Sequence, residues 1–567
     1  LYQDNNSGTA NRSFGNVQFD YKLPLLPALH AIWNLGYDVS QGKGTNVIPA
    51  DAAQSYFNTP GPGYNGRYLQ KTTNTVSEFS LRYNQDISAI KSNINATAGY
   101  GFYNNLITNY NYPGFDTKGD TITGTTPLYP FDKPENTLIS YYGRLIYTFS
   151  EKYILTASIR TDGSSRFAPN DRWGVFPALA LAWEINRENF LKNDRAVSLL
   201  KLRLSYGVTG NQEGIGNYGY LPDYYLSQNS SKYQFGNTFY NMATPALYVP
   251  DLTWEQTASS NVGIDYGFWD NRVTGSIDYY YKKTKNLLDY VFIPVGSNFS
   301  NEVTTNIGNM TSQGVEFDVN AIPVQKRDFT WNIGFNIAYN KIRITHLRNV
   351  TDPGFVGDQT GGISGATGQS IQINTVGYNP FAFFVFKQVY DPKTGKPIEG
   401  VYEDLNRDGV INQKDQYRYK SPFAPVIFGF STRFNYKSWS LSMVMRANVG
   451  NYMYNNVASN TGVQRQILNP LGLLVNATTD VLSTNFYNNQ FQSDYYVQNA
   501  SFLKMDNIGI GYTVLSGSKL SLRLNAYCQN VFVITKYKGL DPEIYSGIDN
   551  NFYPRPRIFT LGANLGF

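Results

Sequence analysis

The sequence predicts an all-β fold, a large antiparallel transmembrane β-barrel, from its composition, a period-2 alternation and the lengths of its connections. Of the 567 residues, 16% are aromatic, 46 are Tyr and 50 are Gly, which favours strands and turns. Only 16% are charged, against roughly 25% in an average soluble domain. This composition argues against helical bundles and α/β enzymes, which need long segments of 3.6-residue periodicity.

The alternation of apolar and polar residues recurs along the whole chain. In residues 200–208, Leu200, Leu202 and Leu204 share one face, and Lys201 and Arg203 share the other. The same pattern occurs in residues 273–282, 520–529 and 559–567. Strands of about 9–13 residues exceed the usual length and fit a tilted membrane span.

The polar face of these strands carries Lys, Arg and Asp, which a packed sandwich core would not accept. A wide barrel accepts them because its lumen is wet and its outer surface is apolar. The alternative is a large secreted β-sandwich or solenoid. It would explain the Tyr and Gly content, but not charged faces on strands of this length.

Short and long connections alternate along the chain. The short turns are expected at 149–152, 269–272, 325–328, 436–438 and 515–518, and the long, structureless loops at 41–70, 105–135, 210–253, 343–378 and 451–498. In outer-membrane barrels the short turns face the periplasm and the long loops face outside. Counting the alternating segments predicts about 18 strands.

Charge and cysteine content exclude other classes. The net charge of +5 is small for this length, so no nucleic-acid partner is expected. The single cysteine, Cys528, builds neither a disulfide framework nor a zinc site. The first residues do not read as a signal peptide, so we expect that an upstream part is missing.

Several segments resemble the SusC (SusC/RagA) family of TonB-dependent outer-membrane transporters. They are RTDGSSRF at 160–167, LKLRLSYGVTGN at 200–211, LTWEQ at 252–256, NIGNMTSQGVEF at 306–317 and PRPRIFTLG at 554–562. The resemblance covers nearly the whole chain in order. It also implies that the barrel-assembly machinery reads the terminal aromatic residue, Phe567.

The resemblance implies a barrel of about 22 strands, preceded by a plug, a TonB box and a small extra domain. Residues 1–567 would then be the C-terminal barrel portion, with the plug and about four strands absent. It further implies import of oligosaccharides or oligopeptides across the outer membrane of a Gram-negative bacterium. The implied partners are a SusD-like surface lipoprotein, the TonB complex through the missing part, and outer-membrane lipid.

Two other classes of function stay open. A passive porin or secretion channel would share the barrel and lack the plug. A β-barrel enzyme would need a nucleophile–base pair, and with only two His residues in the chain we expect no enzymatic activity.

Residues 404–415 match a 12-residue calcium loop. The predicted ligands, at positions 1, 3, 5, 7, 9 and 12, are Asp404, Asn406, Asp408, the Val410 carbonyl, Asn412 and Asp415. Gly409 permits the turn, and Ile411 is the expected inward apolar anchor. The alternative is an Asx-rich surface turn, because Asp, Asn and Gly form turns without a metal. We expect a structural Ca²⁺ ion.

Aromatic residues crowd the loop after residue 210. They are candidates for substrate binding because aromatic faces stack on sugar rings and peptide side chains. The residues are Tyr218, Tyr220, Tyr224 and Tyr225. The alternative is that this long loop uses its aromatic rings as a small core of its own.

Overall fold

The computed structural model describes the chain except residues 1–4, 53–54, 56–62, 227–231, 293–301, 348–354, 469–474 and 518–519. Its regular structure is almost entirely β-strand. The α-helices of the described residues are short: α1 (Asn456–Thr461), α2 (Gln464–Ile467) and α3 (Asp480–Thr484). None of the helices in these residues is long and apolar enough to cross a membrane.

The first half of the chain contains nine strands of the principal sheet and four short loop strands. The sheet strands are β1 (Asn5–Lys22), β2 (Leu29–Ile48), β3 (Tyr64–Ile87), β4 (Ser92–Tyr110), β5 (Phe131–Asp132), β6 (Glu135–Phe149), β7 (Tyr153–Ser164), β8 (Trp173–Glu184) and β9 (Val197–Asn211). The loop strands are β10 (Tyr224–Leu226), β11 (Lys232–Phe235), β12 (Thr238–Asn241) and β13 (Ala243–Pro245).

The rest of the chain alternates sheet strands with loop strands. They are β14 (Glu255–Phe268), β15 (Val273–Phe292), β16 (Glu302–Gln325), β17 (Phe329–Leu347), β18 (Asp358–Gly362), β19 (Ser370–Asn374), β20 (Ala382–Phe386), β21 (Gln388–Tyr390), β22 (Pro397–Tyr402), β23 (Gln416–Arg418), β24 (Val426–Tyr436), β25 (Trp439–Val449), β26 (Tyr452–Asn455), β27 (Val497–Asn499), β28 (Phe502–Ser516), β29 (Ser521–Thr535), β30 (Ile548–Asp549) and β31 (Ile558–Gly566).

The principal sheet has 18 strands among the described residues, one of which, β5, has two residues. Successive strands pair antiparallel wherever a register is defined, as in β1 with β2 and β24 with β25. The all-β class and the predicted count of about 18 strands are therefore confirmed.

Some strands have the predicted length of about 9–13 residues, such as β7 with 12 and β24 with 11, whereas others are longer and β3 reaches 24 residues. The β2–β3 register continues from Leu29↔Tyr83 out to Ile48↔Tyr64. Half of the loop predicted at 41–70, namely residues 41–48 and 64–70, is therefore paired strand. Glycine and polar residues, such as Lys43, Asn46 and Asn65, interrupt both faces there, so the regular apolar alternation that marked strands is absent although backbone pairing continues.

The described chain divides into two compact units, each of which is treated by itself. Unit 1 comprises residues 1–181, 207–256 and 286–306, and unit 2 comprises residues 182–206, 257–285 and 307–567. In each unit the short turns lie at one end of the strands and the long loops at the other. The four predicted short turns at 149–152, 269–272, 325–328 and 436–438 are confirmed. Ser518, in the fifth, lies outside the described residues.

The core of unit 1 is built largely from the family-like segments. Phe167 is inaccessible to solvent, and its ring lies 5.1 Å from that of Trp254. Phe176 meets Trp254 edge to face at 5.4 Å, and Leu252 and Ile215 complete the cluster. The Trp254 indole N–H donates to the Arg172 carbonyl at 3.0 Å. These motifs therefore join the strands to the loop after β9.

The strand faces of unit 2 follow the predicted alternation. On the polar face, the Arg203 guanidinium bridges Asp265 at 2.7 Å and Asp278 at 3.0 Å. On the opposite face, large apolar side chains are exposed, among them Val262, Ile264, Ile277 and Tyr279. Each Asp has a cationic partner across the strands, as charges on a partly shielded surface require.

The described parts of the long loops of unit 2 form a compact body, called here the loop cluster: residues 355–425, 450–468, 475–501 and 536–557. Ile371, Phe383, Tyr454 and Tyr496 are inaccessible to solvent in its apolar core. Short strands hold it together, including the parallel pair β26–β30. The prediction of structureless loops is therefore wrong here. The loop predicted at 343–378 also extends to residue 425, and the predicted calcium loop at 404–415 lies within it.

Candidate functional site

The loop cluster contains a pocket of about 280 Å³ at the loop ends of β17, β24 and β25. Asn340 and Ile342 contribute the floor from β17, and Pro425 and Gly450 come from the ends of β24 and β25. The pocket also has a basic and aromatic lining, which consists of Tyr378, Arg418, Tyr419, Lys420 and Tyr452. This lining is called the cationic pocket below.

Backbone hydrogen bonds fix the segment that carries both cations. Arg418 pairs with Phe384 across β20 and β23. The Tyr419 N–H donates to the Phe383 carbonyl at 2.9 Å, and the Phe383 N–H donates to the Lys420 carbonyl at 2.8 Å. On the other side, the Tyr452 N–H donates to the Ser421 carbonyl at 3.0 Å. The side chains of the pocket therefore project from backbone that is held on two sides.

Both cations of the pocket lie against aromatic rings. The Arg418 guanidinium is 5.0 Å from the Phe384 ring centre and 5.9 Å from that of Tyr378. The Lys420 ammonium lies between two rings, 5.3 Å from Tyr419 and 5.0 Å from Tyr452. These are cation–π distances. Burial lowers the pKa of Arg418, but a guanidinium stays protonated at neutral pH.

Among the described residues, neither Arg418 nor Lys420 has a carboxylate within ion-pair distance. Other cations of the loop cluster do have one: Lys387 pairs with Glu403 at 2.5 Å, and Arg555 pairs with Asp541 at 2.9 Å. The positive charge of the cationic pocket is therefore not balanced by a carboxylate of the described residues.

Asp494 is a carboxylate that contacts Tyr417, the residue before Arg418. Its carboxylate accepts the Tyr417 hydroxyl at 2.7 Å and the Gln388 backbone N–H at 3.0 Å. Burial and this carboxylate together raise the pKa of Tyr417 above its usual range, so its hydroxyl stays a donor. The Asp494 carboxylate thus accepts hydrogen bonds from Tyr417 and Gln388 and forms no ion pair with Arg418 or Lys420 among the described residues.

Sequence reasoning missed this pocket. A local signal was present, because aromatic and basic residues alternate from Tyr417 to Lys420, directly after the predicted calcium loop. Tyr378 and Tyr452 join them only through the fold. Nothing in the local sequence marks those two residues.

The predicted calcium loop is a tight turn held by its own side chains. The Asp404 carboxylate accepts the N–H groups of Arg407 and Gly409, at 2.6 and 2.8 Å. The carboxylate of Asp415 is inaccessible to solvent and accepts the N–H groups of Leu405, Asn406 and Asn412. These hydrogen bonds, Asn412 first, hold the pKa of Asp415 below its usual range.

The remaining predicted ligands also bond within the loop. Asp408 accepts the Val410 N–H at 2.9 Å, Asn406 accepts the Asp408 N–H at 2.9 Å, and the Val410 carbonyl accepts the Asn412 amide at 3.1 Å. In the part of the chain that the structure describes, no three His, Cys, Asp or Glu side chains converge as a metal site. Carboxylate, amide and carbonyl oxygens are nevertheless the donors that Ca²⁺ takes. Calcium binding therefore stays a prediction, and Ile411 is exposed, not the inward anchor that was expected.

The aromatic loop of unit 1 presents its rings to solvent. Tyr218, Tyr224 and Tyr225 are exposed, and Tyr220 is half-buried. The Tyr218 hydroxyl accepts the Glu135 backbone N–H at 3.1 Å, and Tyr224 pairs with Pro245 across β10 and β13. The loop enters the core through Ile215, Leu252 and Trp254 instead. A substrate role for the four Tyr residues stays a prediction.

Long antiparallel strands with charges on one face, exposed apolar side chains on the other, and alternating short turns and long loops define an outer-membrane β-barrel protein. Comparison with known proteins assigns the chain to a family within this class. The chain belongs to the family described as TonB dependent receptor-like, beta-barrel, whose model matches residues 1–531. The SusC-type resemblance inferred from the motifs is thereby confirmed.

Two curated relatives show the extent of the likeness. The chain is 36% identical to the TonB-dependent receptor SusC of Bacteroides thetaiotaomicron, over 99% of this chain and 56% of that protein. It is 29% identical to the TonB-dependent receptor P39 of Formosa agariphila, over 98% of this chain and 59% of that protein. The chain thus spans little more than half the length of these relatives.

Solved structures support the fold. The RagAB peptide transporter matches with a TM-score of 0.80 at 23% identity, over 100% of this chain and 63% of that chain. The RagAB peptide importer in its open-open state matches with a TM-score of 0.79 at 22% identity, over 100% and 62%.

Proposed function

We propose that this chain is the barrel of an outer-membrane transporter that actively imports oligosaccharides or oligopeptides. In this proposal the energy comes through TonB, and a SusD-like surface lipoprotein assists capture. The observation that carries the proposal is the 36% identity to SusC over 99% of the chain. The RagAB structures, which are described as a peptide transporter, support the peptide alternative by fold.

The geometry suits binding and passage better than covalent chemistry. The polar faces of the strands carry paired charges such as Arg203 with Asp265, which line a wet lumen in barrels of this class. The loop cluster adds a pocket with unbalanced charge and aromatic rings. We assign the long loops to the outside of the cell and the short turns to the periplasm, as in other outer-membrane barrels.

The alternative is a passive porin or secretion channel, and energy dependence separates the two. The test compares uptake by the native bacterium, by a strain lacking this gene, and by a strain depleted of TonB. Fluorescently labelled malto-oligosaccharides and a tryptic peptide mixture serve as probes. We expect uptake of one probe class to be lost in both altered strains. Uptake that persists without TonB would establish a passive channel instead.

The lipoprotein partner has a separate test. An affinity-tagged copy of the protein is purified from native membranes in mild detergent, and its companions are identified by mass spectrometry. We expect a SusD-like lipoprotein in stoichiometric amount. Its absence after cross-linking in intact cells would remove the partner from the proposal.

A further inference from the structure

The cationic pocket combines three properties that a surface lysine alone does not have. It contains two cations without carboxylate partners among the described residues, a concave volume of about 280 Å³, and rings from Tyr378, Tyr419 and Tyr452. The backbone under Arg418 and Lys420 is held on both sides, so little ordering is needed when a ligand binds.

We propose that the cationic pocket binds one carboxylate-bearing residue of the imported oligomer. This inference rests on the proposed function and deepens it, since it makes acidic oligomers the favoured substrates. Arg418 and Lys420 receive the carboxylate, and the tyrosine rings pack against the sugar ring or side chain that carries it.

The donors available fit a carboxylate. One Arg418 nitrogen donates to the Val356 carbonyl, and another approaches the Thr375 hydroxyl at 3.4 Å. Its remaining terminal nitrogen has no partner among the described residues and can donate into the pocket. The Lys420 ammonium adds up to three donors from an exposed position. Hydrogen bonds between charged groups are roughly twice as strong as neutral ones, which makes the preference for an acid measurable.

The size of the pocket limits the bound group. Its volume of about 280 Å³ is at the lower limit of ordinary ligand pockets, about 300 Å³. The pocket therefore accommodates one sugar or amino-acid residue, and the rest of an oligomer must extend beyond it. The carboxylate is the common chemistry, whether it belongs to a uronic acid or to a peptide.

A matched control lies at the other end of the same strand. Lys437 stacks on Tyr436 at 5.5 Å in the short turn after β24, whereas Pro425 and the pocket adjoin the start of β24. Lys437→Gln removes the same charge and the same kind of cation–π contact at a distance of about 35 Å along the strand. Lys437→Gln therefore removes a lysine charge and a ring contact without affecting the pocket, although Lys420 contacts two rings and Lys437 one.

The test measures binding to the protein purified from native membranes by isothermal titration calorimetry. One probe pair is trigalacturonate and its methyl ester, and the other is a Tyr-containing tetrapeptide with a free C-terminus and its amide. We expect the acid of one pair to bind roughly tenfold more tightly than its neutral form. Lys420→Gln should reduce that preference severalfold, because only Arg418 then faces the carboxylate, while Lys420→Arg and Lys437→Gln should retain it.

The two pairs also identify the source of the carboxylate, a uronate or a peptide. Equal binding of acid and neutral forms, no binding of either acid at about 1 mM, or a preference that Lys420→Gln leaves unchanged would overturn the inference. TonB-dependent uptake measured in the Lys420→Gln strain keeps the two proposals apart. If uptake of a neutral substrate continues while the wild-type protein shows no acid preference, the pocket inference fails and the proposed function stands.

Discussion

Replacing Glu543 by Gln should loosen the loop that joins β29 to β31. The Glu543 carboxylate is shared by three cations. It accepts hydrogen bonds from both terminal nitrogens of Arg446, and its oxygen lies 3.4 Å from the Lys504 ammonium and 3.0 Å from a terminal nitrogen of Arg555. Burial opposes its ionisation, but the Arg446 hydrogen bonds and the three positive charges outweigh burial and hold the pKa of Glu543 below its usual range.

The expected loss of stability depends on which carboxylate each cation still contacts after the substitution. Arg446 retains Asp506 at 2.7 Å and Arg555 retains Asp541 at 2.9 Å, whereas Lys504, only 4% exposed, retains Asp541 at 3.9 Å. Breaking a buried pair costs about 3–5 kcal/mol. Because Glu543 is 26% exposed and Gln still accepts a hydrogen bond, we expect about 2 kcal/mol.

Hydrogen–deuterium exchange measures this loss directly. A cost of about 2 kcal/mol raises the opening constant roughly 30-fold. Peptides that cover residues 536–557 should therefore exchange faster by about that factor. The amide of Tyr454, which donates to the Gly547 carbonyl, should follow, while exchange in β24 should not change.

Glu403→Gln is the control, because Glu403 pairs with Lys387 and both side chains are 48% exposed. An exposed pair contributes about 0–1 kcal/mol, so exchange should change little. Equal effects of the two substitutions, or no effect of Glu543→Gln, would refute the assignment of Glu543 as the residue that fixes this loop. Adding Lys504→Met to Glu543→Gln should recover part of the loss, because the buried charge that keeps only the long contact with Asp541 is then gone.

Three further predictions concern other parts of the chain. Asp404→Ala combined with Asp408→Ala should abolish calcium binding in titration calorimetry, whereas Asp391→Ala, in a turn where Asp391 accepts the Lys393 and Thr394 N–H groups, should not; absence of binding in the unaltered protein would leave only the Asx-rich turn. Trp254→Ala should destabilise unit 1 by about 3–5 kcal/mol in urea unfolding, and a cost no larger than that of Trp439→Ala, where the ring is half-exposed, would show that the cluster around Phe167 is not a core. Deletion of Phe567, which is fully exposed, should lower the amount of protein inserted in the membrane without changing the stability of what inserts; unchanged insertion would leave Phe567 a role only at the lipid interface.

The sheet was predictable because its period-2 signal is strong and repeated. Residues 200–208 and 273–282 alternate cleanly, and both lie in strands whose faces match the prediction. The outer parts of β2 and β3 were missed because glycine and polar residues such as Lys43, Asn46 and Asn65 interrupt both faces there. Backbone pairing holds such a segment as strand without any apolar signal.

The candidate site was less accessible to sequence reasoning. The turn at 404–415 was located because its side-chain oxygens recur at fixed spacing within one segment. The cationic pocket assembles Tyr378, Arg418 and Tyr452 from three separated segments, and only contacts between loops bring them together. Loop packing of this kind depends on tertiary contacts, for which a single sequence has no period.

The length of β3 has a consequence for how the cell surface is organised. Its 24 residues extend about 80 Å along the strand. At a tilt of about 40° they rise about 60 Å, while the apolar band of such a barrel is only about 25 Å tall. More than half of the length of the β2–β3 hairpin therefore extends beyond the bilayer as paired strand. With the long loops outside the cell, as proposed above, antibodies would meet the loop-side ends of β2 and β3, around Val47 and Asn65, before any lipid. Substitutions at these strand ends can alter that encounter without disturbing the anchorage in the membrane.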